Sequence, residues 1–262
     1  MMDLFHINRA RWIGLQTLIF RECAVSLRFW FVTLAPPVIS TALYFVIFGK
    51  VLGQRIGPIH QFDYIEYIAP GLIILWVIPN SYGHTAGGLI GARIFRYIEE
   101  LLASPLPAWI IMLGYVIGGM VRGLMVATIT VGTALWFVRV PLHAIAVSIG
   151  VLLLTALISA LGGFITAMLA KDFGQMTVIQ TLILTPLAYF GGVFNTVASL
   201  PNWARKLSLA NPMFYMVNAF RYGFLGVADA SVWVCMLVLS VFAVALAVVS
   251  TKLMTSRLGV RQ

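Results

Sequence analysis

The chain has 262 residues, of which 61% are hydrophobic and only 10% are charged. A soluble domain carries about 25% charged residues, so this composition excludes a protein whose whole surface faces water and predicts a membrane protein. The formal net charge of +9 does not indicate a nucleic-acid partner, because the basic residues are scattered between apolar runs and form no cluster.

Residues 1–28 are predicted to form an amphipathic helix that lies along the cytoplasmic membrane interface. Phe5, Trp12, Leu15 and Ile19 follow helical spacing on one broad face of this segment. A solvated tail is the alternative, although it would leave these large apolar side chains in water.

Six apolar runs are long enough to cross a bilayer, which takes about 20 residues per helix. They are residues 29–48, 64–84, 108–138, 142–170, 176–194 and 232–254. The predicted fold is therefore an all-α membrane protein, with a six-helix transmembrane domain over 29–254 and a cytoplasmic tail over 255–262. Ten of the 17 Lys and Arg residues fall in segments on the side of the N-terminus, six fall on the other side and one lies within a span. This bias predicts that both termini are cytoplasmic.

The stretch "FRYIEELLASPLP" places a charged helix between the second and third spans. Residues 93–102 are good helix formers, and Arg96 and Glu100 have the i, i+4 spacing of an ion pair. The two prolines that follow Ser104 stop the helix. In the predicted orientation this helix faces the cytoplasm, as expected of an element that docks to a partner. A solvated interfacial loop is the alternative.

Two short helices are predicted between the fifth and sixth spans, one over residues 201–209 and one over 213–225. The dipeptide Asn211-Pro212 separates them. Neither helix is long enough to cross the membrane, and the second is rich in aromatic residues of the kind that lie at a membrane interface. This pattern favours half-helices that dip into the outer leaflet and return. An ordinary interfacial loop helix is the alternative.

Arg122 is the residue whose charge the sequence places inside a span. A buried Arg persists only when it is paired or hydrated, and the sequence offers no obvious carboxylate at the same depth. Arg122 is therefore either a conduit residue that contacts the cargo or a structural residue that caps backbone carbonyls. In the same span, Gly114 and Gly118 form a G-x-x-x-G motif, which permits close helix packing within a subunit or across a dimer.

Several kinds of chemistry are not expected in this chain. It contains no G-x-x-x-x-G-K-[ST] phosphate loop, and its histidines and acidic residues are predicted to lie apart, which argues against nucleotide, metal and catalytic sites. Cys23 and Cys235 are predicted to be free thiols. A stand-alone secondary transporter or drug-efflux carrier is an alternative function, although such carriers usually place ionisable groups near the bilayer midplane.

The chain resembles the type-2 ABC exporter permeases, the ABC-2 membrane-protein family, over essentially its whole length. The motifs that carry the resemblance are "IAPGLIILWV", "RIFRYIEELLASPLP", "LTPLAYFGGVF" and "NPMFYMVNAFRYGFLG". The resemblance implies an inner-membrane permease that exports an amphipathic, lipid-linked or saccharide-type cargo. It also implies a second copy of this chain and two copies of a separate cytoplasmic ATPase. This chain would hold no cofactor, and ATP and Mg would bind to the ATPase.

The same resemblance assigns roles to two sets of residues. The ATPase-coupling residues are Arg93, Phe95, Arg96, Glu99 and Glu100. The residues of a re-entrant outer gate are Pro201, Trp203, Asn211, Pro212, Phe214, Tyr215, Arg221 and Tyr222.

Overall fold

The computed structural model describes residues 2–52, 57–59, 61–104, 106–138, 141–194, 196 and 201–258. Within these ranges the regular structure is helical, and the one strand-like contact is an isolated antiparallel bridge between Ile59 and Phe62. The predicted all-α class is therefore confirmed for the described residues. The last four residues of the predicted tail lie outside the described residues.

Eleven α-helices follow one another along the described parts of the chain, and two of them continue into π-helical turns. They are α1 (Met2–Arg28), α2 (Trp30–Phe45) with a π-helix over Val46–Leu52, α3 (Tyr64–Ile94), α4 (Tyr97–Ala103), α5 (Ala108–Phe137), α6 (Ile145–Leu169), α7 (Phe173–Ile179) with a π-helix over Gln180–Leu184, α8 (Thr185–Phe190), α9 (Asn202–Ala210), α10 (Pro212–Leu225) and α11 (Val232–Leu258).

Four helical segments of the described chain are long and apolar enough to cross a membrane. They are Trp30–Gly49, Ala108–Phe137, Ile145–Leu169 and Val232–Ser256. These segments coincide with the first, third, fourth and sixth predicted spans. The second predicted span lies within α3 and the fifth runs through α7, the following π-helix and α8, and neither is among the four. The count of six spans therefore stays a prediction.

Helix α3 lies at the centre of the bundle. Of its 31 residues, 20 are buried, and they face α5, α6 and α10 on different sides. At its N-terminus, Asp63 is the N-cap residue, and the Glu66 carboxylate accepts a hydrogen bond of 3.2 Å from the Asp63 N–H. A helix that is apolar on most sides must be enclosed by others, and this one is enclosed within a single subunit.

Glycines on α5 and α6 let these helices approach α3 closely. A Cβ atom at Gly119 or Gly123 of α5 would collide with Thr85 or Ser81 of α3. On the other side, a Cβ atom at Gly163 of α6 would lie 3.1 Å from the Cα of Tyr82 and still closer to the Tyr82 carbonyl oxygen. Small residues at helix contacts are the usual means of close packing in membranes, where dispersion contacts replace the hydrophobic effect.

Replacing Gly163 with Ala is expected to destabilise the bundle, because the added methyl group meets the backbone of Tyr82, which cannot rotate away. Overpacking of this kind costs about 1–3 kcal/mol. The measurement is the midpoint of thermal unfolding in detergent. The matched control is Gly132→Ala in α5, where a Cβ atom would meet nothing within 4 Å. An equal effect of the two substitutions would show that the α3–α6 contact is looser than described.

Candidate functional site

The charged stretch between the second and third predicted spans forms two pieces instead of one helix. Helix α3 ends at Ile94, and Arg96 has a left-handed backbone conformation, with φ of 60°, before α4 begins at Tyr97. Left-handed backbone is uncommon for residues other than Gly and turns the chain away from the helix axis. The predicted ion pair at i, i+4 is wrong, because Arg96 precedes the helix that contains Glu100.

Helix α4 has one packed side and one exposed side. Tyr97, Ile98 and Leu101 pack against the core, and the Tyr97 hydroxyl donates a 3.3 Å hydrogen bond to the Gly88 carbonyl of α3. The predicted coupling residues Phe95, Arg96, Glu99 and Glu100 are exposed, with 74% of the Phe95 surface accessible. We call these four residues the α4 surface. It combines an exposed aromatic ring with charges of both signs.

Arg93 lies apart from the α4 surface. Its guanidinium donates to the carbonyl oxygens of Ala167 and, at 2.8 Å, Ala170, at the C-terminus of α6. The last carbonyls of a helix lack partners within the helix and carry partial negative charge, so a guanidinium is a suitable donor to them. Arg93 therefore ties the end of α3 to the end of α6, and its coupling role stays a prediction.

The second half of α1 packs along the first half of α5, and the two helices run in the same direction. Leu18 lies against Gly114, where an added Cβ atom would be 2.9 Å from the Leu18 Cβ. Glu22 lies against Gly118, where the corresponding distance to the Glu22 Cβ is 2.5 Å. The G-x-x-x-G motif thus contacts α1 of the same chain, which confirms packing within the subunit. It brings a carboxylate next to a predicted span.

Arg122 lies one helical turn beyond Gly118 and contacts His84 of α3. The Arg122 Nη1 atom is 3.4 Å from His84 Nδ1, and His84 Nε2 is 3.3 Å from Glu22 Oε2. The other carboxylate oxygen, Glu22 Oε1, accepts from Arg21 Nη2 at 2.7 Å. Glu22 is only 5% exposed, and His84 is buried. The sequence-based view that His84 is isolated is wrong, whereas the direct side-chain partner of Arg122 is this histidine and not a carboxylate.

Donor and acceptor chemistry assigns the tautomer of His84. A guanidinium has no acceptor, so His84 Nδ1 must accept from Arg122, and the ring proton then lies on Nε2. His84 Nε2 is close to the Glu22 carboxylate, at 3.3 Å, but is not aligned for a hydrogen bond with it. Burial alone would raise the pKa of the Glu22 carboxyl, but its contacts with His84 and Arg21 outweigh burial and hold that pKa below its ordinary value. Glu22 is therefore an anion, and Arg21 is the arginine paired with it.

Glu22 and His84 are functional candidates that sequence reasoning missed. One signal was present: Glu22 is an acidic residue directly before the first span, and α5 offers Gly118 and Arg122 at i, i+4 spacing. That signal becomes useful only when it is known that α1 packs on this face of α5. Among the described residues, no group of three or more His, Cys, Asp or Glu side chains could hold a metal ion.

The opposite end of the bundle contains the predicted outer-gate residues. Asn211 separates α9 from α10, as predicted. Its side chain accepts from the Met213 N–H at 3.0 Å and donates to the Leu187 carbonyl at 2.6 Å. Pro212 begins α10, and the Tyr215 hydroxyl donates to the Leu209 carbonyl at 2.8 Å. The two helices are therefore joined to each other and to α8.

Most of helix α10 is buried in the bundle. Phe214, Phe220 and Phe224 are buried, which corrects the expectation that these rings lie at an interface between apolar and wet surroundings. The reason is tertiary: α10 packs against α3, α6 and α11. Tyr222 meets His143 edge to face at 5.5 Å. In α9, by contrast, Trp203 is 67% exposed and Pro201, the N-cap residue, is also exposed.

Arg221 is the most deeply buried cation of this end, with 2% of its surface exposed. Its guanidinium lies 4.0 Å from the centroid of the Tyr67 ring of α3 and donates to the Gly192 carbonyl at 2.6 Å. The Asp229 carboxylate lies 4.0 Å away. Arg221 therefore connects α10, α3, the chain after α8 and the turn before α11. It was predicted as a gate residue, but its burial was not.

An apolar cavity of 230 Å³ opens between α2, α3 and the segment around α8. Aromatic and aliphatic side chains line it, including Tyr44, Trp76, Leu184 and Tyr189. Among the described residues, no charged side chain lines this cavity, so the cavity suits an apolar group rather than an ion.

Comparisons with known proteins agree with this arrangement. The family described as ABC-2 type transporter matches residues 14–225. The chain is 41% identical over 250 residues to the inner membrane transport permease YadH of Escherichia coli K12, which covers 95% of this chain and 98% of YadH.

Two more distant relatives share the family pattern. Nodulation protein J of Sinorhizobium fredii is 26% identical over 232 residues, which covers 86% of this chain and 85% of that protein. The probable multidrug ABC transporter permease YbhR of Escherichia coli K12 is 23% identical over 173 residues, or 64% of this chain and 46% of YbhR. The motifs of the sequence predict the branch that contains YadH and nodulation protein J, and the comparisons confirm it. The chain belongs to the ABC-2 type transporter family of membrane permeases.

Proposed function

We propose that this chain is the permease subunit of an ATP-driven exporter of the bacterial inner membrane, powered by a separate cytoplasmic ATPase. Family membership indicates the transmembrane component of an ABC transporter. The α4 surface is the observation that supports the proposed separate ATPase. Two of its exposed residues, Phe95 and Arg96, directly precede α4, and the other two, Glu99 and Glu100, lie on it. The opposite side of α4 is packed onto the bundle, so a protein that binds to the α4 surface can move α3 without entering the membrane.

The α4 surface is suited to transmit force because α4 is held on α3. The Tyr97 hydroxyl contacts the Gly88 carbonyl, and Ile98 and Leu101 pack against the same core as the end of α3. A push on α4 would therefore displace α3, and α3 would carry α5 and α6 with it. In this mechanism two ATPase copies bind ATP and Mg, two copies of this permease form the conduit, and both permease termini lie in the cytoplasm.

The cargo is proposed to be amphipathic, as a lipid-linked or saccharide-type molecule would be. The apolar cavity beside α3 supports this proposal, because its aromatic lining would accept an acyl chain. The relative YadH is named an inner membrane permease, which supports the proposed location. The alternative of a stand-alone secondary transporter has less support, because the family is one of ABC transporters.

Purification of the tagged chain from solubilised membranes tests this function. We expect an ATP-hydrolysing protein with its own phosphate loop to co-purify, and ATP hydrolysis by this complex to exceed that of the ATPase alone. If the tagged permease is pure, folded and without such a protein, and if it still moves an amphipathic probe across vesicles, the ABC assignment of its energy source is wrong.

Reversing charge on the α4 surface should uncouple the ATPase. In the variant Glu99→Lys/Glu100→Lys we expect a loss of about tenfold or more in ATPase retention or stimulation, because like charges across an interface cost several kcal/mol. The thermal midpoint of the permease should be unchanged, because both side chains are exposed. The measurements are co-purified ATPase and its hydrolysis rate.

The matched control is Arg205→Glu, another charge reversal at an exposed position, on α9 at the opposite end of α3. It should leave the ATPase bound. Loss of the ATPase in both variants, or in neither, would contradict docking at the α4 surface.

Helices α9 and α10 form the outer gate in this proposal, and Arg221 anchors it. Arg221 contacts α3 through Tyr67 and the chain after α8 through Gly192, so a displacement of α3 would reach the gate through one side chain. A planar guanidinium can stack on a ring and donate sideways at the same time, whereas an ammonium cannot.

Replacing Arg221 with Leu should destabilise the chain by about 3–5 kcal/mol, because the buried carbonyl of Gly192 and the carboxylate of Asp229 lose this partner. Arg221→Lys should recover only part of the loss. The midpoint of thermal unfolding measures both effects, with Arg205→Lys at an exposed site as the control. Full stability of the Lys variant would show that charge alone, without stacking, suffices at this position.

A further inference from the structure

The side chain of Arg21 connects the N-terminal helix to α4. The guanidinium of Arg21 lies 5.4 Å from the centroid of the Tyr97 ring of α4 and 5.5 Å from that of Tyr115 of α5. It also donates to the Tyr115 hydroxyl at 3.0 Å. These are cation–π distances, so α1 is electrostatically attached to α4 and to α5 at the same point.

The rest of the contact between α1 and α4 is open. A cleft of 410 Å³ separates them, and its lining includes Glu22, Val25, Glu100 and Leu101. Tightly packed helices leave no such space. Helix α4 therefore has room to shift against α1, while the contact of Arg21 with Tyr97 would transmit that shift.

Glu22 lies next to Arg21 and continues the contact into the bundle. One carboxylate oxygen holds Arg21 and the other faces His84, whose second ring nitrogen accepts from Arg122. No other side-chain partner of Arg122 is found in the part of the chain that the structure describes. Arg122 is thus connected through one imidazole to a carboxylate from a different helix.

We propose that Glu22 is a positioning residue that holds Arg122 through His84, and that α1 thereby carries the movement of α4 into the span that contains Arg122. We call the three side chains Glu22, His84 and Arg122 the charge relay. This inference rests on the proposed function only for the source of the movement, which is an ATPase that displaces α4. The relay itself is a property of this chain and needs no partner to be tested.

The fit of Glu22 to α5 makes the relay sensitive to small displacements. Gly118 lets the Glu22 stem lie directly on the α5 backbone. An apolar environment strengthens each contact of the relay and makes an unpaired charge costly. The relay therefore has a closed arrangement and, once Glu22 moves away, an open one in which Arg122 must find another anion or water.

Cys23, adjacent to Glu22 and partly exposed, is a native reporter of α1. We expect Arg122→Gln to raise the rate of N-ethylmaleimide labelling at Cys23 by about threefold or more, because α1 opens locally from α5 when the relay is broken. The rate is read by peptide mass spectrometry on the purified permease in detergent, so labelling of Cys235 does not interfere.

Three variants make the labelling result decisive. Arg122→Lys keeps both the positive charge, which Arg122→Gln removes, and a donor for His84, and it should label as the wild type does. Arg205→Gln removes an exposed cation at the other end of the bundle and should also have no effect. His84→Leu removes the middle of the relay and should raise labelling as Arg122→Gln does, which decides the matter if Arg122→Gln fails to fold. Wild-type labelling of Cys23 in the variant that folds would overturn the relay.

A double-mutant cycle in the complex with the ATPase tests the transmission. Glu22→Gln and Arg122→Gln should each lower ATPase stimulation, and the double variant should lose no more than the stronger single variant, because both break one relay. Losses that multiply would overturn the transmission role. Absence of any ATPase from the wild-type complex would instead refute the proposed function and leave the labelling result intact.

Discussion

The close approach of α5 and α6 to α3 is the constraint on which the rest of this structure depends. Gly119 and Gly163 place the backbones of these helices against Ser81, Tyr82 and Thr85. In a lipid environment such contacts replace the hydrophobic effect as the source of helix association. Since α3 is buried along most of its length, it cannot tilt without moving its neighbours. Its two ends are therefore suited to receive a displacement at one end and to pass it on at the other.

The two ends of α3 make different contacts. Its C-terminal end is tied to α6 by Arg93 and carries α4, whose outer side is exposed. Its N-terminal end lies near the chain after α8, where the Tyr64 hydroxyl donates to the Phe194 carbonyl at 3.2 Å, and near Arg221 of α10. A single helix thus connects an exposed, charged surface to a buried anchor. This arrangement supports the proposal of a permease whose energy comes from a separate ATPase outside the membrane.

Among the described residues, the buried charged side chains Glu22 and Arg221 both join elements that are distant in sequence. Glu22, His84 and Arg122 belong to three different helices. Arg221 connects α10 with α3 and two loops. Charges removed from water are stable only with partners, so such groups hold a fixed arrangement of helices more strictly than apolar contacts do. If the helices change their arrangement, these charges must find new partners.

The sequence by itself determined the membrane class, the helical content, the family and the presence of a charged helix stopped by prolines. The family follows from the resemblance of quoted motifs, and the other properties depend on composition, periodicity and local chain stiffness, which a linear chain displays directly. The helices α9 and α10 and the break at Asn211 were predictable for the same reason. Only the tertiary structure decided that Glu22 reaches His84 and Arg122, that Arg93 caps α6, and that the aromatic rings of α10 are buried. Each of these facts depends on which helix faces pack against each other. That packing is set by the shapes of several helices together. At Gly118, for example, the missing side chain makes room for a carboxylate.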